Sequence, residues 1–234
     1  MEGQNEQETI KEAPGLALGI DFGNSKISGA VWNCNKKAPS IVLFDEKYEF
    51  PATLYYKNII KKENEDIHMD NNSFDVGVEF SLDQNVDYFI YDIKKLLGQK
   101  KKKENEQVLS SLKYKIGIDQ EENILYNLEE NYIQYDYLSS ILIDKIKRAA
   151  EAQFKDVVNS CTISVPHGFN YNQRAAVKNA AIMAGIKNVF IINEPLSTAI
   201  YYASKNKIQK TENILIIDFG SSKLDVTLVS INNK

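Results

Sequence analysis

The chain has 234 residues, 43% of them hydrophobic, so it is long and apolar enough to bury a core and is not a disordered polypeptide. Its 28 Lys and Arg against 32 Asp and Glu give a net charge of −4, which gives no reason to expect nucleic-acid binding, and no apolar run approaches the roughly 20 residues of a membrane span. Residues 1–14 are polar, without an apolar signal core, and are expected to be a disordered tail of a cytoplasmic protein. Cys34 and Cys161 are too few for a disulfide framework and are expected to be free thiols.

Apolar runs bounded by turn residues predict the strands of the first half. We expect these strands at residues 16–21, 27–32, 41–44 and 53–56. The charged stretch 58–72 is expected to be a loop, and apolar residues at helical spacing predict a helix over 87–97 that ends at Gly98. Lysines 100–103 are expected in a solvated loop, followed by a hairpin over 113–128.

The second half alternates helices with strands. A helix is predicted over 137–154 with Asp136 as its N-cap, and a second begins at Asn170, where Gln173 completes a capping box, and ends at Gly185. Glu194-Pro195 is expected to open a third, over 196–203. The remaining runs predict strands at 161–165, 189–192, 214–217 and 225–229. This alternation predicts an α/β protein with helices covering its sheets.

One heptad occurs twice. Ile20-Asp21-Phe22-Gly23-Asn24-Ser25-Lys26 returns at residues 217–223 with six of seven positions identical, each copy between two predicted strands. Repetition in the same context indicates duplicated architecture. A tight turn with glycine lets successive backbone N–H groups converge on an anion, and an Asp at the strand end can hold Mg²⁺ through its waters. Two such hairpins could clamp a polyphosphate, although either one alone is also compatible with an ordinary tight turn.

These residues resemble the superfamily of sugar kinases, actin and heat-shock chaperones, and further motifs resemble the 70-kDa heat-shock chaperones. The resemblance covers about residues 16–230. It is carried by the repeated Asp-Phe-Gly-x-Ser, by residues 91–98, by Val165-Pro166 with Phe169-Asn170 and Gln173-Arg174, by Ile191 to Pro195, and by residues 214–229. It implies the actin-like (ribonuclease H-like) nucleotide-binding fold, mainly its first lobe. The expected divisions are the tail, a first lobe over 15–210 with a smaller subdomain inserted at about 50–130, and the first hairpin of a truncated second lobe over 211–234.

The resemblance also implies ATP or ADP with Mg²⁺ as cofactors and a role for each site residue. Asp21, Lys94, Glu194 and Asp218 would be catalytic, with Asp21 and Asp218 reaching the metal through water. Pro166 and Arg174 match the pair that relays nucleotide state. The phosphate-binding residues would be Gly23, Asn24, Ser25, Lys26, Gly220, Ser221, Ser222 and Lys223.

Several positions depart from the family pattern. Threonine is usual where Asn24 and Lys223 stand, and a pair of glycines where Ser221 and Ser222 stand, so we expect backbone strain at the serines if their φ is positive. Lys26 and Lys223 add an ammonium beside each turn, which either attracts phosphate or fills the site. Gly168 replaces a tyrosine. Phe190 and Leu196 replace an Arg and a Thr at the positions that dock a J-domain.

These changes favour a weakly hydrolysing or non-hydrolysing member, similar to the atypical heat-shock proteins of the ribosome-associated complex. Such a protein would be a regulatory partner of a J-domain or ribosome-associated protein. It would act in the folding of nascent or unfolded chains and in the stress response, without direct nucleic-acid or membrane contact. Three alternatives remain open: a conventional chaperone ATPase, a sugar or acetate kinase, and a filament-forming actin relative. We also expect the 234 residues to be a piece of a longer protein and to bind ATP weakly alone.

Overall fold

The computed structural model describes residues 15–33, 37–57, 71–81 and 84–232. The predicted tail at 1–14, the Cys34 thiol and most of the predicted loop at 58–72 lie outside the described residues. Within the described ranges, no helix is both long enough and apolar enough to cross a membrane.

The described residues form strands and helices, and the helices are four to twenty residues long. The strands are β1 (Leu16–Phe22), β2 (Lys26–Asn33), β3 (Ala38–Ile41), β4 (Glu49–Pro51), β5 (Leu54–Tyr56), β6 (Phe74–Val76), β7 (Phe89–Ile90), β8 (Ile116–Ile118), β9 (Ile124–Leu128), β10 (Asn131–Gln134), β11 (Val158–Val165), β12 (Asn188–Asn193), β13 (Glu212–Phe219) and β14 (Leu224–Ile231). The helices are α1 (Ile93–Leu96), α2 (Glu106–Ser111), α3 (Tyr135–Phe154), α4 (Tyr171–Met183) and α5 (Glu194–Lys205).

The main sheet has the order β12-β11-β1-β2-β3, and β4 also pairs with β2. Strands β1, β11 and β12 run parallel, whereas β1, β2 and β3 form an antiparallel meander. Strands β6-β5-β7 and β10-β9-β8 form two separate three-stranded sheets. Strands β13 and β14 form a two-stranded hairpin in which most side chains are exposed.

The core lies between the main sheet and helix α3, which also packs against α4. The predicted helix is confirmed, and its inner face is formed by the buried Leu138, Ile141, Leu142 and Ile146. Gly29 of β2 lets the helix approach closely, because a Cβ there would lie 2.6 Å from Cδ1 of Ile146. Cys161 of β11 is a buried free thiol, as predicted, and burial raises its pKa to about 12.

The end signals of the later helices are confirmed. Asn170 and Gln173 form both hydrogen bonds of the capping box at the start of α4. Gly185, just past the end of α4, has a positive φ of 82°, which glycine adopts without strain. Pro195 lies in the first turn of α5, where its missing N–H leaves no helical bond unmade.

The helix predicted over 87–97 is wrong for most of its length. Val86–Tyr88 is a single 3-10 turn, Phe89–Ile90 pairs with β5, and only Ile93–Leu96 is helical. Asp92 has the left-handed φ of 57°, so a continuous right-handed helix through it is impossible. Gly98 does end the segment as predicted, with a φ of 66°.

Smaller corrections concern edges and caps. Strand β3 covers Ala38–Ile41 rather than 41–44, because its register is fixed by pairing with β2 and not by the apolar run that follows. The N-cap of α3 is Gln134, and Asp136 lies inside the first turn, where its carboxylate accepts from the N–H of Tyr137. Strands β4, β6 and β10 and helix α2 were not predicted from the sequence.

Candidate functional site

A cleft of about 860 Å³ is lined by residues from both copies of the repeated heptad, from α1, from the loop after β11 and from the start of α5. All twelve residues predicted for the site line this one cleft. They are Asp21, Gly23, Asn24, Ser25, Lys26, Lys94, Glu194, Asp218, Gly220, Ser221, Ser222 and Lys223.

The two copies of the heptad form hairpins of identical register. Phe22 pairs with Ile27 and Phe219 with Leu224, so each antiparallel pair closes around the same turn, 197 positions apart. The first turn has no room for a side chain at its glycine, since a Cβ on Gly23 would lie 2.3 Å from the carbonyl oxygen of Lys26. The chain therefore places two equivalent backbone turns on one cleft, as the repeat predicts.

Asp21 lies at the end of β1, where the parallel register with β11 sets it beside Ser164. The Ser164 hydroxyl donates to Oδ1 of Asp21 over 3.2 Å. Desolvation by the surrounding protein raises the pKa of the Asp21 carboxyl above its ordinary value of 3.8. The positive charge of Lys94 and the hydrogen bond from Ser164 lower the pKa but only partly offset this effect. Asp21 is nevertheless exposed and lines the cleft, so its carboxylate is accessible to a ligand.

Lys94 and Glu194 form the most buried ion pair among those seen in the described residues. Nζ of Lys94 lies 2.7 Å from Oε1 of Glu194, and the two side chains are only 8% and 15% exposed. Nζ of Lys94 also lies 5.9 Å from the centroid of the Phe169 ring, which adds a cation–π contact. The pair therefore fixes a positive and a negative charge beside the two turns.

A carboxylate cluster lies beside this pair. Carboxylate oxygens of Glu194, Asp218 and Asp225 lie within 4.8 Å of one another. Asp218 and Asp225 are direct partners across the β13–β14 hairpin. Nζ of Lys223 binds Oδ2 of Asp225 and lies 3.5 Å from Oε2 of Glu194.

The equivalent lysine of the first hairpin behaves differently. Lys26 pairs with Glu49 of β4, which is outside the carboxylate cluster. The sequence left open whether these lysines attract phosphate or fill the site. In the structure Lys223 lies among the carboxylates, and Lys26 binds away from them.

Asn24 ties the first turn to α1. Its Nδ2 donates to Oδ1 of Asp92 over 2.6 Å, and Nζ of Lys95 binds the other oxygen of Asp92 over 2.8 Å. Oδ1 of Asn24 is buried with no hydrogen-bond partner among the described residues, which is unusual for a buried polar atom. The left-handed Asp92 that breaks the predicted helix is thus part of the site.

Arg174 holds the loop after β11 against the start of α5. Its guanidinium donates to the carbonyl oxygens of Phe169, Pro166 and His167 and to Oδ1 of Asn193 over 2.8 to 3.3 Å. Asn193 immediately precedes Glu194. Arg174 therefore links the carbonyl oxygen of Pro166 to the residue that precedes Glu194.

Strain at the serine pair is absent. Neither Ser221 nor Ser222 has a positive φ, so the cost expected for replacing two glycines does not arise in this conformation. The second turn is also more open than the first, since a Cβ on Gly220 would lie 3.7 Å from the Lys223 carbonyl oxygen.

Three residues that contact the predicted site residues were not predicted from the sequence: Asp225, Ser164 and Asp92. Asp225 could have been found by folding residues 212–231 into a hairpin around the turn at 220–223, which sets it opposite Asp218. Its equivalent in the first hairpin is Ser28, opposite Asp21, so the repeat itself does not mark it. Ser164 carries no local signal, because the parallel pairing of β1 with β11 places it beside Asp21, 143 residues away in sequence.

Comparison with known proteins covers almost the whole chain. The family model for Hsp70 protein matches residues 17–234. The chain is 32% identical over 146 residues to a heat shock 70 kDa protein of Neurospora crassa, covering 61% of this chain and 23% of that protein. It is 36% identical over 129 residues to the chaperone protein DnaK of Thermoplasma volcanium, covering 55% and 20% respectively. The chain thus spans about a fifth of the length of the curated relatives it matches.

Proposed function

Because the chain belongs to the Hsp70 protein family, whose ATPase domain has the actin-like α/β fold seen here, we propose that the cleft lined by its two hairpins binds ATP or ADP. The observation that carries this proposal is the pair of hairpins with identical register on one cleft. Backbone N–H groups at both turns would hold the phosphates from two sides. Gly23, which leaves no room for a side chain, would allow the closest approach.

The charges in the cleft suit phosphoryl chemistry in part. Lys94 would face the terminal phosphate, with Glu194 holding the ammonium in place through the 2.7 Å contact. Asp21 and Asp218, which both line the cleft, would accept hydrogen bonds from water near that phosphate. Phosphoryl transfer depends mainly on such positioning and charge stabilisation.

The fit to magnesium is incomplete. Mg²⁺ supplies charge neutralisation on the phosphates when it is bound, and carboxylate oxygens such as those of Glu194, Asp218 and Asp225 are its preferred protein ligands. The ammonium of Lys223 lies against two of these three residues. The residues do not accommodate the ion unless Lys223 moves.

We therefore favour a chaperone domain that binds nucleotide and hydrolyses it weakly or not at all, and that acts as the regulatory partner of another folding factor. Two features support this: Lys223 among the carboxylates, and Asn24 already bonded to Asp92 where a threonine is usual. The test uses the protein purified from its natural source. Its affinity for ATP with Mg²⁺ is measured by calorimetric titration, and its hydrolysis of ATP is then measured in a single turnover. Binding without hydrolysis is expected, and turnover at the rate of ordinary relatives would contradict the regulatory role.

A conventional ATP-hydrolysing chaperone is the second candidate. The observation that favours it is that Asp21, Lys94, Glu194 and Asp218 all line the one cleft. Under this alternative, Lys94→Ala would abolish turnover while leaving much of the ATP affinity. Under the regulatory alternative the same substitution would have no turnover to abolish.

The expected partners follow from the same family. We propose a J-domain or ribosome-associated protein as the direct partner and unfolded or nascent polypeptide as the client, in the cytoplasm. Phe190 and Leu196 are 61% and 47% exposed, which makes them available for a protein contact. We propose no nucleic-acid or membrane ligand, in keeping with the net charge of −4.

A further inference from the structure

The two lysines of the repeated heptad occupy equivalent positions but have different partners. Lys26 pairs with Glu49 on an edge strand, where both side chains are about half exposed. Lys223 instead binds Asp225 and lies 3.5 Å from Oε2 of Glu194. The other oxygen of Glu194 is held by Lys94 over 2.7 Å. Glu194 therefore receives one ammonium on each oxygen.

The carboxylate cluster concentrates negative charge that a nearby cation stabilises. Glu194, Asp218 and Asp225 bring three negative charges within 4.8 Å, and Asp21 is close enough to interact electrostatically with both Glu194 and Asp218. Like charges at such distances repel strongly unless a cation lies among them. Lys94 and Lys223 supply two positive charges, and Lys223 is the one that contacts two members of the cluster.

We propose that Lys223 is a built-in counter-ion that takes the place of a divalent cation in this cluster. Its ammonium is tethered beside the carboxylates by the hairpin, so a free Mg²⁺ or Mn²⁺ must break two ion pairs before it can bind Glu194 and Asp225. The cluster therefore has low affinity for divalent cations in the native protein. The nucleotide, when it binds, meets a fixed lysine charge and depends little on the metal.

The part of this inference that concerns metal affinity stands on the contacts of Lys223 alone. The part that concerns nucleotide rests on the proposed function. The two parts can be separated, because the first is measured without nucleotide.

In the first experiment, the 234-residue chain is titrated with Mn²⁺. The concentration of free Mn²⁺ is measured by electron paramagnetic resonance. Lys223→Met is expected to bind Mn²⁺ at least about tenfold more tightly than the native chain, because it removes a unit positive charge a few ångströms from the ligands. Lys95→Met is the matched control, since Lys95 lines the same cleft but pairs with Asp92 outside the cluster. It is expected to leave Mn²⁺ affinity within about twofold of native.

Two further variants guard against a folding artefact. Lys223→Arg keeps the charge and is expected to stay as weak as the native chain, and the double variant K223M/D225N removes a ligand and is expected to lose the affinity gained. The proposal is overturned if the native chain binds Mn²⁺ as tightly as Lys223→Met. It is also overturned if Lys223→Arg gains affinity equally, since the effect would then not be one of charge.

The second experiment compares ADP affinity in Mg²⁺ and in excess chelator, using the protein isolated from its own cells and its Lys223→Met variant. We expect chelator to weaken ADP binding less than about threefold in the native protein and at least about tenfold in the variant, the difference again coming from one unit of charge. Equal dependence on Mg²⁺ in both proteins would overturn the role of Lys223 toward nucleotide. Absence of ADP binding in both would instead overturn the proposed function, while the Mn²⁺ result would still decide the metal part.

Discussion

Nζ of Lys94 donates a hydrogen bond to Oε1 of Glu194 over 2.7 Å, although the two residues are 100 positions apart in sequence. The bond joins the short helix α1 to the first turn of α5, and both residues line the cleft. Among the residues that the structure describes, Lys94 is the only buried one that carries a charge, and the Glu194 side chain is only 15% exposed. A pair in this position stabilises the site geometry only while both partners are present.

We predict that this pair couples energetically. In a double-mutant cycle with Lys94→Met and Glu194→Gln, urea unfolding should give a coupling free energy of about 1–3 kcal/mol, as expected for contacting residues in one charged network. Lys94→Met alone should cost less than a fully orphaned buried charge, because Lys223 remains 3.5 Å from Glu194.

The exposed pair of Lys57 and Asp75, 3.2 Å apart, is the control. Its side chains are 44% and 51% exposed, so its coupling should be below about 1 kcal/mol. Equal coupling in the two cycles would show that burial of the cleft pair adds nothing.

Local signals were sufficient for elements whose boundaries are local. The capping box of Asn170 and Gln173 and the stop at Gly185 were predicted because each depends on side chains within one helical turn. The strands at 214–217 and 225–229 were predicted because they are adjacent in sequence, and they lie within β13 and β14. The helix expected at 87–97 failed because Phe89 pairs with Tyr55, and that long-range pairing overrides a helical spacing of apolar residues.

The site was predictable to the same extent. The heptad repeat gave both turns, and the resemblance to a family gave Lys94 and Glu194. The sequence does not show which partner each charged side chain binds. Lys26 and Lys223 are equivalent in the repeat, and only the folded chain sets one beside Glu49 and the other beside Asp225.

The two turn glycines should tolerate alanine differently. Gly23→Ala would set a Cβ 2.3 Å from a backbone carbonyl oxygen, so the turn must shift, and we expect a loss of about 2 kcal/mol or more in the free energy of unfolding. Gly220→Ala meets only an ordinary 3.7 Å contact and should change stability by less than about 1 kcal/mol. Urea denaturation of both variants makes the comparison, and equal losses would contradict the difference in turn geometry.

Returning the serines to glycine should not stabilise the fold. Because neither Ser221 nor Ser222 has a positive φ, Ser221→Gly and Ser222→Gly relieve no strain and only increase the freedom of the unfolded chain. We expect each to lower the free energy of unfolding by roughly 0.5–1 kcal/mol. A gain in stability in thermal unfolding would mean that the turn adopts a strained conformation in solution.

Asp21 should make stability depend on pH in a defined direction. Its pKa is raised in the folded state, so the folded protein holds this proton more tightly than the unfolded chain, and stability falls as pH rises from the ordinary value of 3.8 through the folded value. Asp21→Asn should therefore be more stable than native at neutral pH, by less than about 1 kcal/mol because water in the cleft screens the charge. The gain should shrink toward acid pH, where Asp21 is protonated in both states.

Asp119 provides a control of opposite sign for this measurement. A hydrogen bond from the Asn123 side chain lowers the pKa of Asp119, so its contribution is present above 3.8 and is lost as pH falls through the folded value. Asp119→Asn should thus lose stability at neutral pH and match native in acid. If the free energies of unfolding of Asp21→Asn and Asp119→Asn changed with pH in the same way, neither pKa shift would control stability.

The surface of Phe190 and Leu196 should be a contact for a J-domain partner. Exposed aromatic side chains are frequent anchors of protein interfaces, and Phe190 is 61% exposed on β12 beside the start of α5. Phe190→Ala removes this aromatic side chain and should weaken binding of isolated J-domains from the source organism at least about tenfold, a loss of about 1.4 kcal/mol. The melting temperature should stay near native, because the Phe190 side chain is mostly exposed.

Tyr132→Ala is the matched control, since Tyr132 is 57% exposed on β10, a strand of a separate sheet. It should leave J-domain binding unchanged. Equal binding by the native protein and Phe190→Ala would place the partner contact elsewhere on the domain.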